Sequence, residues 1–233
     1  MRIISLTIGI LMFIGLTTNT TAQSYRNRQL ALISYDVNIS QSLKVLLDEQ
    51  AHLFPDVENR KADKIIAQLK ERSWYLIKDR LETETEMYIL PLNAHGKSFS
   101  YDVYGFPEVQ INKALRVGTS KYYIKVDLSL SSVSYQKESG YGSRPSQVDS
   151  SEIIVAEEGS VIPQVTITVT TYTDKGIIPM QKVSGSITVP QPWVISEEIF
   201  TGLINRNEFS LEEPTTIMGL INMATTELLK NIK

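Results

Sequence analysis

The chain has 233 residues, 42% of them hydrophobic and 21% charged, with a formal charge of −3, two histidines and no cysteine. Without thiols there are no disulfides, no cysteine metal sites, no cysteine hydrolase chemistry and no lipobox. A mildly acidic chain with no basic stripe has no electrostatic footprint for nucleic acid, and it lacks the polybasic cluster that would hold it on anionic lipid.

The first residues, MRIISLTIGILMFIGLTTNTTAQ, read as a secretory signal. Arg2 supplies the positive start and residues 3–16 form an uncharged apolar run. Thr20 and Ala22 take the −3 and −1 positions for cleavage before Gln23. The rival reading is an uncleaved anchor, but the run falls short of the about 20 residues a spanning helix needs. Cleavage removes one charged residue, Arg2, and takes the charge to −4. The roughly 210 residues that follow suffice for a core that needs no staples. The expectation is a signal peptide at 1–22 and one domain over 23–233, exported to the periplasm or beyond, with no membrane span after cleavage. The Ala-Gln junction resembles signal cleavage sites in Bacteroidetes.

Residues 29–37 (QLALISYDV) have the apolar, β-branched look of a first strand. Residues 40–53 are ambiguous, since Leu43, Leu46 and Leu47 suit a helix but the run is short. A long helix is predicted over 60–83. Ala62, Ile66, Leu69, Ser73, Leu76, Ile77 and Leu81 recur at its spacing, and Asp56 or Asn59 serves as cap. Glu82, Glu84 and Glu86 at its end read as a solvated face. MYILPL (87–92) is a short strand that Pro91 marks as an edge, and 93–106 is a loop rich in Gly, Ser and Tyr. Residues 107–117 read as a short helix opening at Pro107 and closing before Gly118.

From Lys121 onward the period becomes two. Tyr122, Ile124, Val126, Leu128 and Leu130 alternate with Lys125, Asp127, Ser129 and Ser131, a strand with one dry face. The stretch 136–160 is long and polar, and reads as a flexible hairpin extension in preference to a binding loop. Val165, Ile167 and Val169 alternate with threonines, and Thr173-Asp174-Lys175-Gly176 suggests a tight hairpin with Gly176 left-handed. Val183, Ile187 and Val189 alternate on the return. Residues 196–205 suit a short helix capped by Ser196. An amphipathic helix over 214–233 carries Ile217, Leu220, Ile221, Ala224, Leu228 and Ile232 on one stripe. The stripe is expected to cover the inner face of the preceding hairpin. The order predicts an α+β domain: a mixed, mostly antiparallel sheet packed by the long helix and the C-terminal helix.

No catalytic constellation emerges. There is no G-x-S-x-G elbow, no Walker or G-x-G-x-x-G loop and no EF-hand, so neither a cofactor nor a metal site is read. His52 and His95 stand apart in no ligand-like spacing, and His95 reads as a solvated loop residue. Trp74 reads as core or flank. A two-carboxylate hydrolase stays open because such pairs form only in the fold. For binding, the place to look is SFSYDVYGFPE, with Phe99, Tyr101, Tyr104 and Phe106; the alternative is that these rings cover one end of the sheet.

The stretch ALRVGTSKYYIKVDLSL (114–130) is similar to the TolB amino-terminal domain and its relatives, which include penicillin-binding-protein activator lipoproteins and the curli secretion channel subunit. Gly118, Tyr122, Ile124, the Asp174-Lys175-Gly176 turn and the helix over 220–232 occupy comparable places. The chain departs from that pattern at Val126, where a second glycine often stands, in lacking a lipidated cysteine, and in the extra segments at 136–160 and around Trp193. The resemblance implies an exported, non-enzymatic envelope protein that docks on another envelope protein. The alternative is a module that binds a small ligand or glycan through residues 99–106.

Overall fold

In the structure, a computed structural model, residues 25–91, 99–133, 160–189, 191–204 and 215–232 are described. The signal at 1–22, His95 and the polar stretch up to residue 159 lie outside them. The elements run β1 (Gln29–Ile39), α1 (Gln41–Glu49), a 3₁₀ turn (Ala51–Leu53), α2 (Lys64–Thr85), β2 (Tyr88–Pro91), α3 (Ile111–Val117) and β3 (Tyr122–Val133). There follow β4 (Ser160–Thr173), β5 (Gln181–Thr188), β6 (Trp193–Val194), a second 3₁₀ turn (Glu197–Phe200) and α4 (Ile217–Ile232). The sheet order is β2-β1-β3-β4-β5, with β6 extending the edge beside β4. Strand β1 pairs in parallel with β2 and β3, while β4 pairs antiparallel with β3, β5 and β6. The fold is the expected mixed α+β sheet with helices packed on it.

The two halves of the sheet differ because their faces are covered differently. Leu30, Leu32, Ile124, Val126, Leu128, Val165 and Ile167 join residues of α1, α2 and α4 in the main core. On the other face, among the described residues, α3 and the segment before it pack, where Ala114 and Val109 meet Ala31, Ile33 and Tyr123. The start of β1 is therefore buried on both sides, which is why LALI reads as a continuous apolar run. The rest of that face is polar. Thr166–Ser186 (2.9 Å) and Thr168–Ser184 (2.8 Å) form a hydroxyl ladder, and Lys125 sits between Asp36 (3.0 Å) and Asp127 (3.1 Å). Burial alone would lower the Lys125 pKa, but the two carboxylates outweigh it and the pKa rises.

A bulge in β1 decides what the helices touch. The register with β3 slips between Leu32 and Ser34, leaving Ile33 as an extra residue. Because side chains alternate with period two, one extra residue moves every later side chain to the opposite face. Leu30 and Leu32 point to the helices before it, and Tyr35 does so after it.

Several elements differ from the expectation. The cap of α2 is Asp63, not Asp56 or Asn59: its Oδ1 accepts from the Ile65 and Ile66 amides (3.0 and 3.1 Å), and the helix starts at Lys64. A turn closed by the Ala62 amide on the Asn59 carbonyl (2.9 Å) occupies the earlier positions. The buried stripe accordingly runs through Ile65 in place of Ile66. Pro107 and Glu108 open no helix. They bridge to Tyr101 and Ser34, and α3 begins at Ile111. Gly176 is not left-handed, since the positive-φ glycines among the described residues are Gly105 and Gly202. The β4–β5 connection is also wide, with Thr171 facing Gln181 in the last pair. Of the expected helix over 196–205, the described residues, up to 204, form the 3₁₀ turn: Thr201 leaves helical backbone, Gly202 follows at φ 86°, and Ser196 makes no side-chain cap. The ambiguous 40–53 is α1 and a 3₁₀ turn, broken at Gln50.

Helix α4 behaves as expected. Ile217, Leu220, Ile221, Ala224, Leu228 and Ile232 are all buried, Leu228 at 0% exposure. It lies so close on β5 that a Cβ at Gly185 would sit 2.1 Å from the Leu228 amide nitrogen and 2.3 Å from the Ala224 carbonyl oxygen. Those atoms are helix backbone and cannot turn aside. Two predictions follow from this contact. Leu228→Ala should cost about 2–5 kcal/mol through the cavity it leaves, and Gly185→Ala about 3 kcal/mol by forcing helix and strand apart. Both are checked by urea denaturation of the purified protein with no partner present; variants as stable as wild type would show that α4 is not the lid of this core.

Candidate functional site

The site is built at the β1 edge beyond the bulge. Among the described residues β2 pairs with Gln29 to Leu32 of β1, and none of them forms a strand beside the β1 edge beyond the bulge on that side. Residues 100–109 fill the gap. Val109 donates its amide to the Ile33 carbonyl (3.0 Å), and Glu108 bridges Ser34. The segment folds into a small hairpin: Glu108 N to the Ser100 carbonyl at 3.0 Å, Asp102 N to the Phe106 carbonyl at 2.8 Å, and Tyr101 bridged to Pro107. Its turn is made by side chain and glycine together. Asp102 Oδ1 accepts from the Tyr104 and Phe106 amides (both 2.9 Å), and Gly105 takes φ 84°, a conformation that favours a residue without Cβ.

A buried lysine holds this hairpin to α2. Lys70 is only 5% exposed; its Nζ donates to the Tyr35 carbonyl (2.8 Å) and to Asp102 Oδ2. The ammonium also lies over the rings of Tyr104 (5.2 Å) and Phe106 (5.5 Å). Such a charge is tolerable in a core only when paired and hydrogen-bonded, as here. The aromatic packing around it is continuous. Phe106 stands edge-on to Tyr35 (5.2 Å) and to Trp74 (6.1 Å), and Trp74 tilts on Tyr35 (5.1 Å). Tyr35 Oη meets Ser73 Oγ at 2.5 Å; burial pushes its phenol pKa up, against that hydrogen bond. A second pin joins the hairpin to the helix start, where the Asp63 amide donates to Tyr104 Oη (3.2 Å). Burial pushes the Asp63 carboxyl up, but Lys44 and the helix amides outweigh it and hold the pKa below its usual 3.8.

Between the outer face of α2, the loop before it and the hairpin tip runs an open trough of about 740 Å³. Trp74 and Phe106 form its floor, Tyr75, Val103 and Tyr104 its apolar walls, and Asn59, Gln68, Glu71 and Lys78 its polar edges. A smaller groove of about 340 Å³ lies on the other side of Phe106, beside Tyr101 and the end of β2. Lys78 pairs with Glu82 (2.5 Å), and Glu82 also accepts from the Ile89 amide (2.7 Å), so that glutamate supports the β2 edge.

The four aromatic residues expected from the sequence do not form one cluster. Phe106 is part of the floor. Tyr104 is half-buried against Lys70 and Asp63, and Tyr101 stands 44% exposed on the rim. Phe99 packs on the opposite side of the sheet, with Ala31, Ile33 and α3. Sequence reading missed Lys70, Asp102 and Tyr75. The signal for the first two was present: Lys70 interrupts an apolar stripe, and Asp102 opens Asp-x-x-Gly. Trp74 flanks the core as expected while also lining the trough. His52 lies in an exposed turn, near the Glu49 carbonyl (3.3 Å). Among the described residues no group of three or more His, Asp or Glu is gathered to hold a metal ion, and no helix is long and apolar enough to cross a membrane.

The chain matches no protein-family model and no curated protein sequence. Solved structures that it resembles include a lipoprotein from Neisseria meningitidis, with 10% identity over 88% of this chain and 97% of that one, at a TM-score of 0.35. A protein from Chlamydia trachomatis aligns with 8% identity over 88% and 93% of the two chains, at 0.40. A neuraminyllactose-binding hemagglutinin homolog from Helicobacter pylori aligns with 9% identity over 91% and 83%, at 0.37. At TM-scores this low the likenesses carry no argument.

The pins generate two predictions. Lys70→Met leaves the Asp102 carboxylate buried without its cation and should cost about 3–5 kcal/mol. Adding Asp102→Asn should recover at least ~1 kcal/mol of that, because the amide oxygen still accepts from Tyr104 and Phe106. Urea denaturation followed by tryptophan fluorescence gives both numbers, and strictly additive losses would dismiss the pair as a latch. Asp63, with its depressed pKa, contributes stability that is full above the unfolded value and lost as pH falls towards the folded one. Denaturation at stepped pH should therefore show wild type weakening through and below about pH 4 more steeply than Asp63→Asn.

Proposed function

We propose that this is an exported, non-catalytic binding protein of the cell envelope, and that a protein partner docks in the trough along α2. One observation carries the reading. Tyr75 and Val103 stay 64% and 50% exposed on the walls, while Trp74 and Phe106 beneath them are fixed by packing on Tyr35. Solvent-facing aromatic and apolar groups over a rigid base lose little freedom on contact, which is what makes such residues interface anchors.

The shape of the site separates a protein partner from a small ligand. Small-molecule sites enclose most of their ligand's surface, whereas this trough is open along its length. The enclosed apolar space beneath Trp193 and Ile199 holds only about 10 Å³, room for a single water at most. The non-catalytic part of the reading rests on the sequence, in which no catalytic motif is found, while the polar edge of the trough suits hydrogen bonding to a partner's surface. It offers amides, glutamates and a lysine already committed to Glu82. Export rests on the signal-like residues 1–22.

The test places a photo-crosslinking amino acid at position 75 in the producing cell, with a control at Val45, which is 52% exposed on α1. A discrete adduct should form from position 75 and not from 45. Tyr75→Ser with Val103→Ser should weaken binding of the captured partner by about tenfold or more, with unchanged melting. Equal adducts from both positions, or saturable binding of a soluble glycan in the trough, would overturn the reading.

A further inference from the structure

A second surface lies at the other side of the molecule. Strands β1, β2 and β3 all begin at one end of the sheet, and the β4–β5 hairpin turns back there, with the Asp174 amide on the Lys121 carbonyl at 3.0 Å. On the tip of that hairpin Ile177 and Ile178 are 57% and 82% exposed, followed by exposed Pro179. Adjacent aliphatic side chains held in water on a projecting turn make a patch that calls for a partner.

The charge around the tip runs against the chain's average. Lys175 is on the same turn beside exposed Asp174, Lys121 and Lys182 flank it at the starts of β3 and β5, and Arg116 lies in the last turn of α3, so four cations stand against one carboxylate. No ion pair among the described residues engages these four. They are far apart in sequence, so no basic run announces them, and the topology brings them to the end of the sheet from which the two isoleucines project. The path of the chain adds an independent observation. Tyr25, the first described residue, hydrogen-bonds Thr171 (2.9 Å) and Gln181 beside this hairpin. The chain that precedes Tyr25 therefore enters the fold at this end, and the docking makes no use of the apolar run at 3–16, which cleavage before Gln23 removes.

We propose that this end docks on an anionic lipid bilayer: Ile177 and Ile178 enter the interface and Lys121, Lys175, Lys182 and Arg116 meet the headgroups. A convex aliphatic tip with an excess of cations has the composition of interfacial insertion. The apolar side chains gain the acyl boundary while the charges stay at headgroup level. The trough belongs to the opposite edge, around β2 and α2, so a docked molecule keeps it free for a partner.

The chain has no cysteine, so Ile178→Cys carries a single environment-sensitive fluorophore. Vesicles of phosphatidylcholine mixed with phosphatidylglycerol should blue-shift its emission, and phosphatidylcholine alone should do so far less. In co-sedimentation, Ile177→Ser with Ile178→Ser should lower partitioning about tenfold or more relative to wild type with the same N-terminus. Neutralising Lys121, Lys175 and Lys182 to Gln should lower it about fivefold per lysine and abolish the preference for anionic lipid. The proposal fails if the double serine variant partitions like wild type, or if the two lipid compositions bind equally. It also fails if the fluorophore shifts without lipid as the protein self-associates, which would make the tip a contact between copies. Crosslinking from position 75 is independent of all these outcomes.

Discussion

A buried ammonium group organises the functional side of this molecule. Lys70 reaches through the layer between α2 and the sheet to a β1 carbonyl beyond the bulge, and brings Asp102 and the hairpin with it. An unpaired backbone acceptor in that place, or an unpaired lysine, is costly, and each removes the other's penalty. Satisfying the edge of β1 with a side chain instead of a strand leaves room for the hairpin. That in turn sets Phe106 against Tyr35 and Trp74 and gives the trough its floor.

The short β2 and the bulge at Ile33 belong to the same arrangement. Had β2 run the length of β1, strand would have filled the edge where residues 100–109 now lie. Without the extra residue in β1, Tyr35 and Asp36 would exchange faces, and the carboxylate would meet Ser73, Trp74 and Phe106. Bulges commonly re-aim a side chain beside a functional feature, and here the re-aimed ring is the one on which the site is stacked.

The division of the sheet places the two working surfaces apart. The parallel half, covered on both faces at the start of β1, is rigid and carries the trough along its outer helix. The antiparallel half has one dry face and one face of threonine, serine and paired charge. It extends into a hairpin whose turn carries Asp174 and Lys175 beside two exposed isoleucines. On the two readings proposed above, an aromatic trough on one edge and an aliphatic tip with an excess of cations on the other would serve two different partners.

Much of the fold was legible because it rests on local periodicity. The alternation over 122–130 and 165–169 and the stripe on α4 fix which side chains face inward whatever the neighbours are. The slip in parity between Leu32 and Tyr35 even records the bulge. Boundaries were less legible where a competing local bond existed: Asp63 captures the α2 amides once a turn has consumed the Asn59 carbonyl, and the Pro107 segment takes the β1 edge in preference to a helical start. The aromatic residues of 99–106 were visible as a group, yet their separate fates were not. Their distribution depends on Lys70, thirty-two positions away from its partner Asp102 in the chain. Sequence by itself determined the strands, the two amphipathic helices and the faces they bury, since those follow from spacing along one chain. Only the tertiary structure decided that residues 100–109 take the β1 edge beyond the bulge, that a buried lysine joins them there, and that scattered cations come to one end of the sheet. Those are contacts between residues whose separation in sequence carries no period at all.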